Sequence, residues 1–194
     1  NSVNLSTLDA GVYVLRPNAT VTVTADGVLP TNRSIILLAQ ENTIVNIASN
    51  IQIPTEYNSI GDISQVVVAP ATESTNYKLN INHTVAQVDA WLINPQGTIN
   101  TCRTGQPVGN VENIPRSRGL CDSRLTVNGP VSAELLMLRR NGGKDQGTET
   151  TVSQSIPGEN FNLRPDAYIW AASYVDSASK KYVTTNTIDL PPRY

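Results

Sequence analysis

The sequence predicts an all-β protein: a right-handed parallel β-helix (solenoid) with a disulfide-tied loop and a short C-terminal helical cap, with a two-sheet β-sandwich as the alternative. Three observations predict it. Short β-prone runs recur along the chain, separated by Gly, Pro or Asn. Charged residues make up only 15%, against roughly 25% in typical soluble domains, and Asn, Thr, Ser and Val fill the difference. A segment near the middle of the chain is echoed further on.

The runs are Val12 to Leu15, Thr20 to Thr24, Ile35 to Leu38, Thr43 to Ile47, Ile51 to Ile53, Ile63 to Val68, Lys78 to Ile81, Val88 to Ile93, Thr98 to Cys102, Arg124 to Val127 and Leu135 to Leu138. Thr and Val pack well on pleated surfaces, and Asn and Gly tolerate tight turns. Long helices would need more Glu, Lys, Gln and Ala on their surfaces. Strands this short and this closely spaced suit a sandwich, a barrel or a solenoid.

The echo favours the solenoid. KLNINHTVAQ from Lys78 matches RLTVNGPVSA from Arg124: a basic residue, Leu, a polar residue, Ile or Val, Asn, two variable residues, then Val. The 46 residues from Lys78 to Arg124 equal two coils of about 23, within the range of stacked repeats. The chain then divides, within a single all-β domain over 1–194, into N-terminal strands (1–77), repeated coils (78–140) with an inserted loop (102–121), and a tail (141–194). In that tail, 141–158 reads as a Gly-rich polar loop. Pro165 and Asp166 suit the first turn of a short helix, Pro for its fixed φ and Asp for the positive helix end. Tyr168, Ile169, Trp170 and Ala172 would be partly buried, capping an open end. A last strand is expected at Lys181 to Thr187.

Cys102 and Cys121 flank a Gly-, Pro- and Arg-containing segment that reads as a surface loop. A disulfide across its base would contribute about 3 kcal/mol by loop entropy and would imply an oxidising, extracytoplasmic compartment. The alternative is two free thiols. Catalysis by them is disfavoured with a single histidine, His83, and zinc would need more soft ligands than the chain supplies. No cofactor or metal is implied.

Nucleic acid is excluded as a partner by a net charge of −2 and the lack of any basic block. The longest apolar run, Ile35 to Ala39, is far short of the roughly 20 residues of a membrane span. Sequons at Asn4, Asn18, Asn32 and Asn82 are as many as this Asn-, Ser- and Thr-rich composition gives by chance.

The segments LTVNGPVSAELLMLRRNGG, ENFNLRPDAYIW and LPPRY, with VDAWLI and GTINTC, resemble uncharacterised exported bacterial cell-surface and pilus-associated proteins with predicted β-helical domains. The likeness covers roughly residues 78–194. It implies architecture and an extracellular, cell-surface location rather than an active site.

Chemistry is sparse. Polysaccharide-cleaving β-helices need clustered carboxylates, whereas the 16 acidic residues here are scattered singly. Asp89 and Glu134 would be the pair to align on one face. His83 lacks a triad context and reads as a turn residue. Trp91 and Trp170 sit in apolar sequence, which favours burial over a role as sugar platforms. Arg103, Arg116 and Arg118 on the disulfide loop, with Arg164, Tyr168 and Trp170 near the C-terminus, are the candidate binding residues. The expected function is a non-catalytic structural or adhesive module working with other surface proteins, with copies of itself, or with a host-surface glycan or protein. A carbohydrate-binding module is the alternative, and a β-helical glycan lyase or hydrolase ranks last.

Overall fold

The computed structural model describes residues 1–103, 121, 123–140 and 157–177. Its strands are β1 (Ser2–Asn4), β2 (Gly11–Leu15), β3 (Thr20–Thr24), β4 (Ser34–Ala39), β5 (Ile44–Ile47), β6 (Gln65–Pro70), β7 (Lys78–Asn82), β8 (Gln87–Val88), β9 (Trp91–Arg103), β10 (Leu125–Asn128), β11 (Val131–Met137) and β12 (Glu159–Asn162). One helix follows, α1 (Pro165–Ser177), and short 3₁₀ turns lie at Leu5–Thr7 and Ile60–Asp62.

Chain neighbours do not pair. One curled sheet runs in the order β1-β3-β5-β7-β9-β6-β4-β2, with β11 also on β9, and a smaller sheet runs β12-β10-β8. Each of these pairings is parallel. Parallel strands cannot be joined by a tight hairpin, so the chain must leave and return before it pairs again. The long β9 joins the two halves of the sheet: Trp91 and Leu92 pair with β6, while Thr98, Ile99, Asn100 and Arg103 pair with β7.

Register makes the core a set of stacked rows. Val21, Val45, Leu79, Ile99 and Leu136 lie in successive register. So do Tyr13, Leu37, Val68, Leu92 and Val131, and Ile51, Val88, Val127 and Phe161. The interior members of each row are buried. Alternation then sends every second residue outward, as in β4, where Ile35, Leu37 and Ala39 are buried while Ser34, Ile36 and Leu38 are half-buried.

The Asn content has a backbone cause. Asn18, Asn32 and Asn42 hold φ of 55°, 57° and 57°, a left-handed conformation that costs Asn less than most residues. Asn18 N–H donates to Glu41 O and Asn42 N–H to Asn76 O, so the corners before β3, β5 and β7 stack as the strands do. Gly129 (φ 152°) opens another corner, where a Cβ would run into the Ala90 carbonyl.

The pairing revises three sequence expectations. The echoed segments do not stack: β7 belongs to the large sheet and β10 to the small one. Val88 instead meets Val127 and Leu92 meets Val131, an offset of 39 residues, while Gly11 meets Ile35 and Thr20 meets Ile44 at 24. The likeness of Lys78 to Arg124 is that of one strand-and-turn to another, because the insertion at Cys102 lengthens one return of the chain. Second, the Val88–Ile93 run breaks at Asp89–Ala90, and Trp91 instead begins β9, which continues through Pro95 and Gly97. Third, α1 begins at Pro165 as expected but does not cap an end. Trp170 of α1 reaches both Ser34 of β4 and Trp91 of β9, so the helix lies against the outward side of the sheet. The expected loop at 141–158 (apart from its last two residues) and the strand at Lys181 to Thr187 lie outside the described residues.

Candidate functional site

A dense polar cluster surrounds Asp89, where β8 turns into β9. Its side chain is almost fully buried. Oδ1 accepts from Asn128 Nδ2 at 2.6 Å and Gln87 Nε2 at 2.9 Å, and Oδ2 accepts from the Ile53 backbone N–H at 3.1 Å. Asn162 Nδ2 donates to Asn128 Oδ1 at 2.9 Å, and Gln52 Nε2 to Gln87 Oε1 at 3.1 Å. A side-chain ladder therefore follows the small sheet, with one carboxylate as its acceptor. Each of Asp89, Asn128 and Asn162 follows an apolar strand residue (Val88, Val127, Phe161) at the end of its strand. The same apolar-Asx dipeptide recurs elsewhere in the chain, as at Val45-Asn46 and Ile99-Asn100, so these three are singled out only by the pairing of their strands.

Arg164 closes the cluster from the chain leading into α1. Its Nη1 lies 3.6 Å from Asp89 Oδ2 and its Nη2 2.5 Å from Asp166 Oδ2. Nη2 also donates to Pro54 O at 3.0 Å and to Tyr57 Oη at 3.2 Å. Burial opposes the guanidinium charge, but the hydrogen bond and attraction of Asp166, aided by Tyr57 and Asp89, outweigh it and hold Arg164 above its ordinary range. Burial likewise raises Tyr57, against the pull of Arg164.

Beside this hub stand three aromatic side chains. Trp91 lies 6.1 Å from Tyr168 and 6.0 Å from Trp170 between ring centroids, the second pair edge-on. Gln65 Oε1 accepts from Trp91 Nε1 at 3.0 Å, and Ser34 Oγ from Trp170 Nε1 at 2.7 Å. Trp170 is only 9% exposed, whereas Tyr168 is 51% exposed.

A second hub holds the base of the disulfide loop. The bond joins Cys102 and Cys121 with Cα atoms 6.0 Å apart. Arg140, buried nearby, donates to the carbonyls of Thr101 (2.8 Å), His83 (2.8 Å) and Asn82 (2.8 Å) and to Ser123 Oγ (2.6 Å). Burial lowers the guanidinium and Glu159 counters it. Glu159 Oε1 in turn accepts from the backbone N–H groups of Arg139 and Arg140 at 2.8 and 2.6 Å.

Family models, curated proteins and solved structures give no match to this chain. The site is accordingly read from its geometry alone.

Of the sequence-predicted residues, the structure gathers Arg164, Tyr168 and Trp170 at one place, with Arg164 and Trp170 engaged internally and Tyr168 turned outward. Arg103 ends β9, half-buried and in register with Asn82. Arg116 and Arg118 lie outside the described residues. Asp89 and Glu134 do not converge, since Asp89 is buried in its ladder while Glu134 is exposed at a register shift in β11. His83 sits at a corner where its N–H donates to Arg103 O at 3.0 Å and its carbonyl accepts from Arg140. Among the described residues, no three His, Cys, Asp or Glu side chains are grouped to hold a metal ion, and no helix is long and apolar enough to cross a membrane. Sequence reasoning missed Arg140 and Glu159, which are 19 residues apart and carry no local signal of their pairing.

Both oxygens of Asp89 already accept from neighbouring donors, so a further partner would have to displace one of them. Arg140 is spent on carbonyls whose desolvation it offsets.

Proposed function

We propose that this chain is a three-faced, right-handed parallel β-solenoid that serves as a non-catalytic structural or adhesive module on a bacterial cell surface or appendage. The observation that carries the reading is that the buried Asp89 and Arg140 of the described part are each held by hydrogen bonds to groups from neighbouring strands and turns. An enzyme of this architecture would keep a carboxylate or cation free for substrate. Three faces follow from the three strand stacks, and handedness from the strong right-handed preference of parallel crossovers. The disulfide supports an oxidising, extracellular setting, and the resemblance to exported surface proteins supports the same location.

A carbohydrate-binding module is the second reading, favoured by the half-exposed Tyr168 beside Trp91. It ranks lower because Trp170 is buried and packs edge-on with Trp91, which leaves Tyr168 as the one exposed ring of the three where a sugar platform uses a row.

The test is a binding screen of the oxidised protein against glycans, surface proteins and whole cells, run beside turnover assays on uronic-acid and neutral polysaccharides. The reading expects selective surface binding or self-association without bond cleavage. Turnover abolished by Asp89→Asn in a protein of unchanged stability would overturn it.

A further inference from the structure

Strand β2 ends the order of the large sheet and, among the described residues, pairs only with β4, which leaves its other edge without a strand there. Its sequence, GVYVL, contains no charge and no proline, and its register with β4 runs without a bulge. Val12 and Val14 point outward, 50% and 59% exposed. Sheet edges are ordinarily blunted by charge, proline or bulges because a bare edge invites another strand. Where β11 pairs with β9, by contrast, the register shifts at the exposed Glu134. The other end strand, β1, is as free of charge and proline but is only three residues long, so β2 is the longer bare edge.

We propose that a second copy of this chain adds to β2 in antiparallel orientation, giving a two-fold pair. Charge selects the partner and its direction. Exposed Asp9 precedes β2 and exposed Arg16 follows it, and neither has an ion-pair partner among the described residues. A parallel arrangement would set Asp9 beside Asp9 and Arg16 beside Arg16. Antiparallel pairing about Tyr13 sets Arg16 of each copy opposite Ala10 of the other, within side-chain reach of Asp9, twice over. It also sets Val12 opposite Val14 on one face, since residues of equal parity share a side. The outward apolar rows Val12–Ile36–Val67–Trp91 and Val14–Leu38–Ala69 then continue from one copy into the next. The pair is self-complementary, as a two-fold interface must be.

Sedimentation of the full oxidised chain across a wide concentration range, at low and moderate salt, is the test. The mass should rise from 20.9 kDa toward twice that value, more readily at low salt. Val14→Lys should weaken association by about tenfold or more, by the like-charge and edge-blunting argument. Asp9→Arg and Arg16→Asp should each fail to self-associate, yet an equimolar mixture of the two should pair, because each supplies the charge the other needs. All three positions are exposed, and thermal melts verify that the variants fold. A 20.9 kDa species at every concentration, association indifferent to Val14→Lys, or a mixture no better than its components would each overturn the proposal.

Discussion

Replacing Asp89 by Ala removes an acceptor from the Ile53 N–H, the Gln87 and Asn128 amides and the Arg164 guanidinium at once. Breaking a buried ion pair by deleting one partner costs roughly 3–5 kcal/mol, and each buried donor left unpaired costs about 1–3 kcal/mol. These terms overlap, and Arg164 keeps Asp166, so the lower part of the range applies: about 3 kcal/mol by the same principle. With a urea slope of about 2 kcal/mol/M, the unfolding midpoint should fall by about 1.5 M. Asp89→Asn retains one acceptor oxygen but turns an amide N–H toward existing donors, and should cost about half as much. Urea unfolding followed by far-UV circular dichroism and tryptophan fluorescence reads both effects. Trp91 and Trp170 flank the hub, so the two probes should move together. A midpoint for Asp89→Ala within about 0.3 M of the parent would refute the hub as a structural keystone, given the usual precision of such extrapolation.

Other expected outcomes concern separate parts of the fold. Replacing Cys102 and Cys121 by Ser should destabilise by about 3 kcal/mol on the loop-entropy estimate, read as a lowered midpoint under otherwise identical conditions. Arg140→Met should cost about 2–4 kcal/mol, because three backbone carbonyls and Ser123 lose their donor. Asn42→Val, which forces a β-branched residue into φ 57°, should cost about 1–2 kcal/mol, while Asn42→Gly stays near neutral, both by denaturant titration. Burial pushes the Tyr77 and Tyr57 phenols up, so both retain protons in the fold that the unfolded chain loses. Stability from these groups is therefore full below about pH 10 and declines as pH rises above it toward their folded values. Absorbance at 295 nm should show both titrating later than the exposed tyrosines.

Much of the strand pattern was legible in the sequence because it is local. Thr20–Thr24 and Ile35–Leu38 alternate with period two, and Pro165–Asp166 marks a helix start by backbone chemistry alone. Stacking was legible as a type but not in register. The echo from Lys78 to Arg124 compares two strand-turn units on different sheets, whereas the pairing of Val88, Val127 and Phe161 rests on strands too short and too widely spaced to show in the sequence. The helix position was hidden for a similar reason. Only the register of Val12, Ile36, Val67 and Trp91 creates an outward apolar face that needs covering, and that face exists only once the strands are paired. Of the candidate site, Arg164, Tyr168 and Trp170 stood together in the sequence reading because they are close along the chain. Asp89 drew notice as a catalytic candidate, and its structural use depends on donors up to 75 residues away at Arg164. Arg140 was unreadable because its acceptors are backbone carbonyls, which have no sequence.

Parallel stacking of the strands in the curled sheet underlies all of this, and nuclear Overhauser contacts in isotope-labelled protein test it most directly. The account predicts methyl contacts running Val21 to Val45, Leu79 and Ile99, a second series through Ile51, Val88 and Val127, and cross-strand contacts of parallel type throughout. Strong Hα–Hα contacts between chain-adjacent strands, as in an antiparallel sandwich, would contradict it.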